Sequence, residues 1–248
     1  MTLEQFFAEN REVAIAFSGG VDSAYLLYAA TRYAARVKAY YVSTAFQPAF
    51  ELADARRLAD ELGADMLVLH VDVLMSDAVV ANPPDRCYHC KNTLFRQILR
   101  AAENDGFPVL LDGTNASDDA GDRPGMRALR ELLVRSPLRE CGLTKAEIRR
   151  LSREAGLFTW DKPAYACLAT RIRTGEEITL QKLKQTEKAE GFLFGLGFRD
   201  FRVRMVGNTA KLELRETDLP LLLENREKIV TELRKDYDSV LLNLEVRK

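Results

Sequence analysis

An excess of positive charge, a long apolar run and a rich supply of cysteine are all missing from this chain. Lys plus Arg number 36 against 37 Asp plus Glu, a formal net charge of -1. A general nucleic-acid binder usually carries a basic excess, so the balance argues against that class and leaves room only for a local basic patch. No apolar stretch is long enough for a membrane-spanning helix. Met1-Thr2-Leu3-Glu4-Gln5 lacks a basic start followed by an apolar run, so no signal peptide is expected and the expected location is cytoplasmic. Only four cysteines are present. In such a chain they serve as metal ligands, reactive thiols or core residues rather than as disulfides. Solenoid-period repeats and low-complexity tracts are also missing.

What is present is an ordinary globular composition, 47% hydrophobic and 29% charged over 248 residues. That length allows one large domain, or a medium one with a small partner. Strand and helix signals alternate along the first two thirds. Val13–Phe17 is an unbroken apolar run and reads as a buried parallel strand. Asp22-Ser23 opens a helix through Ala30. Strands at Val37–Val42, Met66–His70 and Val109–Asp112 alternate with helices at Phe50–Leu62, closed by Gly63, and Leu94–Ala102. Leu132–Val134 reads as a fifth strand stopped by Pro137. Thr144 and Glu147 have capping-box spacing for a helix running to Gly156. This alternation predicts an α/β fold with a parallel sheet covered on both faces.

Residues Trp160–Gly175 show no period and read as a long functional loop and linker. Beyond Glu176 the pattern changes. It predicts a helix at Thr179–Leu196, a hairpin of Phe201–Val206 and Ala210–Leu214 around Gly207-Asn208, a helix at Pro220–Lys235 and a strand at Ser239–Val246. The expectation is a domain over residues 1–172 and a small α+β domain with an antiparallel sheet over 173–248.

Between the first strand and its helix lies Ser18-Gly19-Gly20-Val21-Asp22-Ser23. Such a loop aims backbone N–H groups at one point, and the helix N-terminus adds partial positive charge. The two glycines allow conformations closed to other residues and let phosphate approach the backbone. Ser18 and Ser23 can donate hydroxyl bonds, and Asp22 can hold magnesium or cap the helix. The bland alternative is a glycine-rich turn that binds nothing. The motif is not a Walker loop, since no Gly-Lys-Ser/Thr follows. It resembles that of the PP-loop ATP pyrophosphatases. The resemblance implies that ATP is cleaved between the α- and β-phosphates, AMP going to an acceptor oxygen as pyrophosphate leaves. Ser43, ending the second strand, would then lie beside the nucleotide. Asp112-Gly113-Thr114-Asn115 ends the fourth strand, where an α/β sheet places ligand contacts; Asn115 is the nucleotide-binding candidate there. Asp118 and Asp119 follow, equally readable as plain loop.

Cys87-Tyr88-His89-Cys90 is a C-x-x-C pair, read as lying in a loop after Asn82-Pro83-Pro84-Asp85. Cys167 and Cys141 lie far downstream. Structural zinc needs four ligands, which Cys87, Cys90, Cys167 and either Cys141 or His89 could supply. An iron–sulfur cluster also takes thiolates. Cys141 reads better as a small core residue. His70, ending an apolar strand, reads as a packed histidine.

A narrower resemblance rests on Arg86-Cys87-Tyr88-His89-Cys90-Lys91, on Lys162-Pro163-Ala164-Tyr165-Ala166-Cys167-Leu168-Ala169-Thr170-Arg171 and on Phe201-Arg202-Val203-Arg204. These look like the LarE sulfur transferases, PP-loop enzymes that build a nickel-pincer nucleotide. The resemblance covers nearly the whole chain. It implies ATP with Mg2+, adenylation of the carboxylates of pyridinium-3,5-biscarboxylic acid mononucleotide, and their conversion to thiocarboxylates. One family type sacrifices a cysteine at the position of Cys167. The other holds a [4Fe-4S] cluster on three cysteines and takes its sulfur from sulfide; Cys87, Cys90 and Cys167 fit that type. The resemblance further implies that Arg202 and Arg204, which alternate on one strand and share a face, bind substrate phosphate. Glu190, on the apolar stripe of its helix, needs an arginine or substrate as partner. Asp218 is a further substrate-binding candidate, and Cys167, Asp22 and Arg171 are the catalytic candidates. A homohexamer, with no nucleic-acid or membrane partner, is implied too. The competing expectations are a tRNA-thiolating PP-loop enzyme and a nucleotide-binding module with a structural zinc site and no turnover.

Overall fold

The structure, a computed structural model, describes residues 1–118 and 124–247. They form two compact units: Met1–Val73 with Asp85–Tyr165, and Leu74–Pro84 with Ala166–Lys248. The expected domain border at residue 172 falls inside the second unit.

In the first unit α1 (Leu3–Glu9) leads into β1 (Glu12–Ala16), followed by α2 (Val21–Tyr33), β2 (Arg36–Ser43), α3 (Ala49–Leu62) and β3 (Asp65–His70). Four residues, Asp77–Val80, make the short α4 of the second unit. The first unit resumes with α5 (Arg86–Asn104), β4 (Val109–Leu111), α6 (Pro124–Glu131), α7 (Pro137–Glu140) and α8 (Lys145–Glu154). The sheet is parallel throughout, in the order β3-β2-β1-β4. Alternation along β1 sends Val13 and Ile15 to one face, where Phe6, Leu26, Leu27 and Ile148 bury them. Ala14 faces the other side, against Tyr40, Ile98 and Phe107. Both faces are therefore covered, as the unbroken apolar run of β1 predicts.

The boundaries bear out most of the expected elements. Gly63 closes α3 in the left-handed conformation. Thr144 and Glu147 form the expected capping box on α8. Three expectations are corrected. α5 begins at Arg86 rather than Leu94, so Cys87 and Cys90 sit in its first turns and not in a loop. Turn residues end at Pro84, and Asp85 supplies the N-cap position, a start signal that needs no apolar period. The fifth strand reduces to a single parallel bridge between Leu111 and Arg135. Leu132 and Leu133 belong instead to the turn that ends α6, and Leu133 points to solvent. His70 is exposed rather than packed.

The second unit continues with α9 (Leu180–Gly195), β5 (Arg202–Val206), β6 (Thr209–Glu213), α10 (Leu219–Glu224), α11 (Arg226–Leu233) and β7 (Ser239–Leu242). β5 and β6 form the expected hairpin, with Gly207 at positive φ. The expected antiparallel sheet is corrected to a mixed one, because β7 runs parallel to β6. The helices between them carry the chain back to the starting edge, and a strand that follows such a crossover lies parallel. The expected helix over Pro220–Lys235 breaks at Asn225. The aperiodic stretch carries two 3₁₀ turns, Phe158–Asp161 in the first unit and Leu168–Arg171 in the second.

The core of the second unit encloses an ion pair. Arg171 is the largest fully buried side chain of the chain. Its Nε and Nη2 donate to Glu190 at 2.8 and 3.0 Å, and Val203 N donates to the same carboxylate at 2.9 Å. Arg171 Nη1 donates to Ala166 O and Thr170 Oγ1, which ties the Cys167 segment to α9 and β5. Removing one member strands the other charge in the core, a loss of about 3–5 kcal/mol. Arg171→Met is therefore expected to lower unfolding stability by that order in urea titration, and Glu190→Leu added to it should recover a large part of the loss.

Candidate active site

The strand order has one switch point. From β1 the chain moves outward through β2 and β3, then returns to place β4 on the other side of β1. Ligands of open α/β sheets bind at the carboxyl ends of strands at such a point. Two loops meet there: Phe17–Gly20 after β1, and Asp112–Asn115 after β4. The meeting is tight, since a Cβ on Gly113 would lie 2.9 Å from Ser23 N. Only glycine fits that position without shifting the first turn of α2.

The loop after β1 is braced from within. Ser18 N donates to Ser23 Oγ at 3.3 Å, the two hydroxyl oxygens lie 3.0 Å apart, and Ser23 Oγ donates to Gly20 O at 3.2 Å. The glycines differ in their demands. Gly19 has φ +72°, and a Cβ there would lie 3.3 Å from Ala55 Cβ. Gly20 is the N-cap of α2 in ordinary extended geometry, φ -80°. Of the two, Gly19 uses a conformation closed to other residues and Gly20 does not. A Cβ on Gly20 would meet only Ser18 Oγ, at 3.5 Å, so the lack of a side chain there keeps the loop surface open. Val21, the first residue of α2, is buried and anchors it in the core.

Asp22 sits in the first turn of α2. Its Oδ2 accepts from Lys145 Nζ at 2.6 Å, while its Oδ1 is buried without a hydrogen-bond partner. Burial pushes its carboxyl above the ordinary value, against the opposing pull of Lys145. A buried oxygen with nothing to accept from fits a cation or a ligand donor. Lys145 reaches this site because it is the first residue of α8, whose N–H donates to Ser117 Oγ at 2.9 Å. Sequence reasoning used Thr144-Lys145-Ala146-Glu147 only as a capping box and missed the lysine.

The loop after β4 holds itself by side-chain bonds. Asp112, buried, accepts from Thr114 Oγ1 and Ser136 Oγ, both at 2.6 Å. Asn115, also buried, receives Ser117 N on its Oδ1 at 2.8 Å, and Asp118 Oδ2 accepts from Asn115 N at 2.8 Å. Asp119 lies outside the described residues. Ser43 ends β2 half-buried, its carbonyl accepting from Val71 N at 3.0 Å. A cavity of about 140 Å³ opens at this end of the sheet, lined by Phe17, Ser18, Val42, Gln47, Phe95 and Ile98.

The remaining candidates divide between the units. Cys87 and Cys90 lie in the first, three residues apart and so on one side of α5, near its positive N-terminal end. Cys87 is exposed and Arg86 Nη2 donates to its Sγ at 3.6 Å. His89 Nε2 lies 3.3 Å from Asp85. Cys167 belongs to the second unit, as N-cap of the Leu168–Arg171 turn. All four cysteines are thiols. Among the described residues, no three His, Cys, Asp or Glu side chains gather as a metal-binding group. Cys141 packs against the apolar core, and burial raises its thiol.

In the second unit Arg202 and Arg204 stand on β5 as expected. Arg202 is buried, donates to Phe201 O at 2.6 Å and lies 3.7 Å from Asp200. Burial, then the nearby Arg171 and Arg247, holds its guanidinium below the usual range. Arg204 donates to Glu213 at 2.8 Å and to Thr170 O at 2.6 Å. Asp218 lies 3.2 Å from Arg215, an ion pair within one turn.

The raised Asp22 carboxyl has a consequence for stability. Its native pKa lies above the free value of 3.8. The native state thus holds this proton more tightly than the unfolded chain, and stability falls as pH climbs from 3.8 through the native value. The Lys145 pair returns little of this, because the lysine is a third exposed. Asp22→Asn is expected to keep or raise the melting temperature at pH 7 and to flatten its pH dependence in the acid range, read by thermal unfolding from about pH 3 to 7.

An asparagine synthase family model matches residues 4–118. The chain is 32% identical to the pyridinium-3,5-bisthiocarboxylic acid mononucleotide synthase of Lactiplantibacillus plantarum, covering 94% of this chain and 85% of that protein. It is 39% identical to an uncharacterized protein of Synechocystis, over 86% of this chain and 80% of the relative. Similarity to the tRNA-specific 2-thiouridylase of Thermotoga petrophila is weaker, 27% identity over 59% of this chain and 52% of that protein. With a pyrophosphate loop braced at the switch point and a full-length relative of this kind, the chain belongs to the LarE family of PP-loop, ATP-utilising sulfur transferases.

Proposed function

We propose that this enzyme converts the two carboxylates of pyridinium-3,5-biscarboxylic acid mononucleotide to thiocarboxylates. The observation that carries the reading is the loop Ser18–Ser23 with Asp22 and Lys145 at its mouth, in a chain similar over 94% of its length to the Lactiplantibacillus synthase. ATP seats its adenine in the apolar cavity lined by Phe17, Ser18 and Phe95, and its phosphates at the loop and Lys145, with Ser43 and Asn115 as further nucleotide-binding residues of the proposal. Asp22 Oδ1, buried and without a partner, fits as a Mg2+ ligand. A substrate carboxylate oxygen attacks the α-phosphorus, pyrophosphate leaves, and a mixed anhydride with AMP forms. Sulfide then attacks the carbonyl carbon, the bond to the AMP oxygen breaks, and AMP departs. Arg202 and Arg204 hold the mononucleotide phosphate, and Glu190 and Arg171 keep β5 and the Cys167 segment in register for it. Asp218, which pairs with Arg215, is a further substrate-binding residue of the proposal.

Cys87, Cys90 and Cys167 are the thiolates that would hold a [4Fe-4S] cluster. Their chemistry fits, since all are thiols, two share one side of a helix N-terminus, and Arg86 Nη2 lies 3.6 Å from Cys87 Sγ. Such a cluster would supply an iron open to sulfide, the sulfur source of the reaction. A homohexamer is part of the same proposal. Among the described residues no helix is long and apolar enough to cross a membrane; a cytoplasmic place is part of the same proposal.

Two measurements test this reading. Arg202→Ala should weaken acceptor binding by roughly one to two decades, the loss of a charge-assisted bond, and leave ATP binding near its original value; the reverse pattern would remove the arginine from the acceptor site. For the sulfur source, intact mass is read after anaerobically reconstituted protein turns over with ATP, acceptor and added sulfide. Several products per protein at unchanged mass are expected, and Cys87→Ala or Cys90→Ala should abolish both the cluster absorbance and activity. One turnover with a loss of about 34 Da at Cys167, as a thiol side chain becomes dehydroalanine, and an active Cys87→Ala would assign the sulfur to Cys167 itself.

A further inference from the structure

Lys162 stands five residues before Cys167 in the chain, yet its ammonium lies at the pyrophosphate loop. It donates to Asp54 at 2.8 Å, to Glu51 at 3.1 Å and to the carbonyl of Gly19 at 3.4 Å. Its side chain is 14% exposed and that of Glu51 11%. Arg149 reaches from α8 to fix the stretch, donating to Trp160 O at 2.6 Å and Lys162 O at 2.9 Å. Phe50 lies under the ammonium, 5.7 Å from it, and packs edge-on against Tyr165. Helix α3, which carries both carboxylates, presses on the loop at Gly19 through Ala55 and the Glu51 carbonyl.

This arrangement sets two acidic side chains against the loop that must receive the most negatively charged part of ATP. Like charges a few ångströms apart in a partly desolvated site repel strongly. Lys162 is the cation that Glu51 feels, and Asp54 adds to the negative side. Without the ammonium, two uncompensated carboxylates would face the incoming triphosphate, and the Gly19 carbonyl would lose a donor. We propose that Lys162 is a positioning residue of the nucleotide site, which neutralises the Glu51–Asp54 pair and braces Gly19 so that the loop can accept a triphosphate. The inference rests on the reading of this loop as the ATP site. It gives the Lys162–Arg171 segment a second task besides carrying Cys167.

The test is binding of α,β-methylene-ATP with Mg2+ to the full chain by calorimetry, with the melting temperature of each variant recorded. Lys162→Met is expected to weaken binding roughly ten- to a hundredfold, the range for a lost charged hydrogen bond, and Lys162→Arg to stay within about threefold of the original protein by the same measure of a retained charge. Adding Glu51→Gln and Asp54→Asn to Lys162→Met should restore most of the affinity, which a merely structural role would not produce. Should Lys162→Met fail to fold, Glu51→Gln with Asp54→Asn in the presence of Lys162 decides instead, with tighter binding expected. Unchanged binding in Lys162→Met, no recovery in the triple variant, or weaker binding in the carboxylate double variant would overturn the proposal. The readout needs neither acceptor nor sulfide. Its failure thus leaves the sulfur-transfer reading standing, whereas tight nucleotide binding without thiocarboxylate product would strike that reading and spare this one.

Discussion

The pairing of β4 with β1 on the side away from β2 sets the geometry on which the first unit depends. It opens the sheet at one point only, so that the loops after β1 and β4 lie against each other. The contact leaves no room for a side chain at Gly113, whose Cβ position falls 2.9 Å from Ser23 N. The start of α2, the positive end of its dipole, is held beside the loop in this way. The serines at 18 and 23 bond to each other and to the loop backbone, which fixes the loop before any ligand arrives.

Around that loop the charges are arranged in opposed pairs. Asp22 is buried, which disfavours its charge, and Lys145 restores part of what burial removes. One carboxylate oxygen is left over. On the α3 side the order is reversed, with two carboxylates sharing one ammonium from Lys162. The second unit treats charge differently. Arg171 and Glu190 are fully sealed and spend their bonding on each other, on Val203 N and on the turn that carries Cys167. An ion pair so deep adds little net stability compared with apolar packing, and what it supplies is a fixed register.

Several features of the site can be understood only from both levels at once. Glu190 on an apolar helical stripe announces a buried carboxylate in need of a partner; the fold assigns that partner as Arg171. Lys145 looks like an ordinary first-turn residue inside a capping box, and only the packing of α8 beside α2 turns it toward Asp22. Cys87 and Cys90 look like loop residues because they follow the turn residues Asn82-Pro83-Pro84-Asp85. Yet Asp85 and the prolines before it start a helix there, and the helix then sets both thiols on one side.

Legible along the chain are the alternation of strand and helix, the pyrophosphate loop, the capping box at Thr144, the hairpin around Gly207 and the family resemblance. Each of these is local: apolar period, glycine placement and capping chemistry act over a few residues, and the code for them lies within those residues. Only the tertiary structure decided that Leu132–Val134 would contribute a single bridge, that β7 would run parallel, and that Lys145 and Lys162 would converge on the loop from more than a hundred residues away. Those outcomes depend on which surfaces remain to be buried once the sheet has formed, and on which charges then lack a partner. Neither quantity exists until distant segments have met.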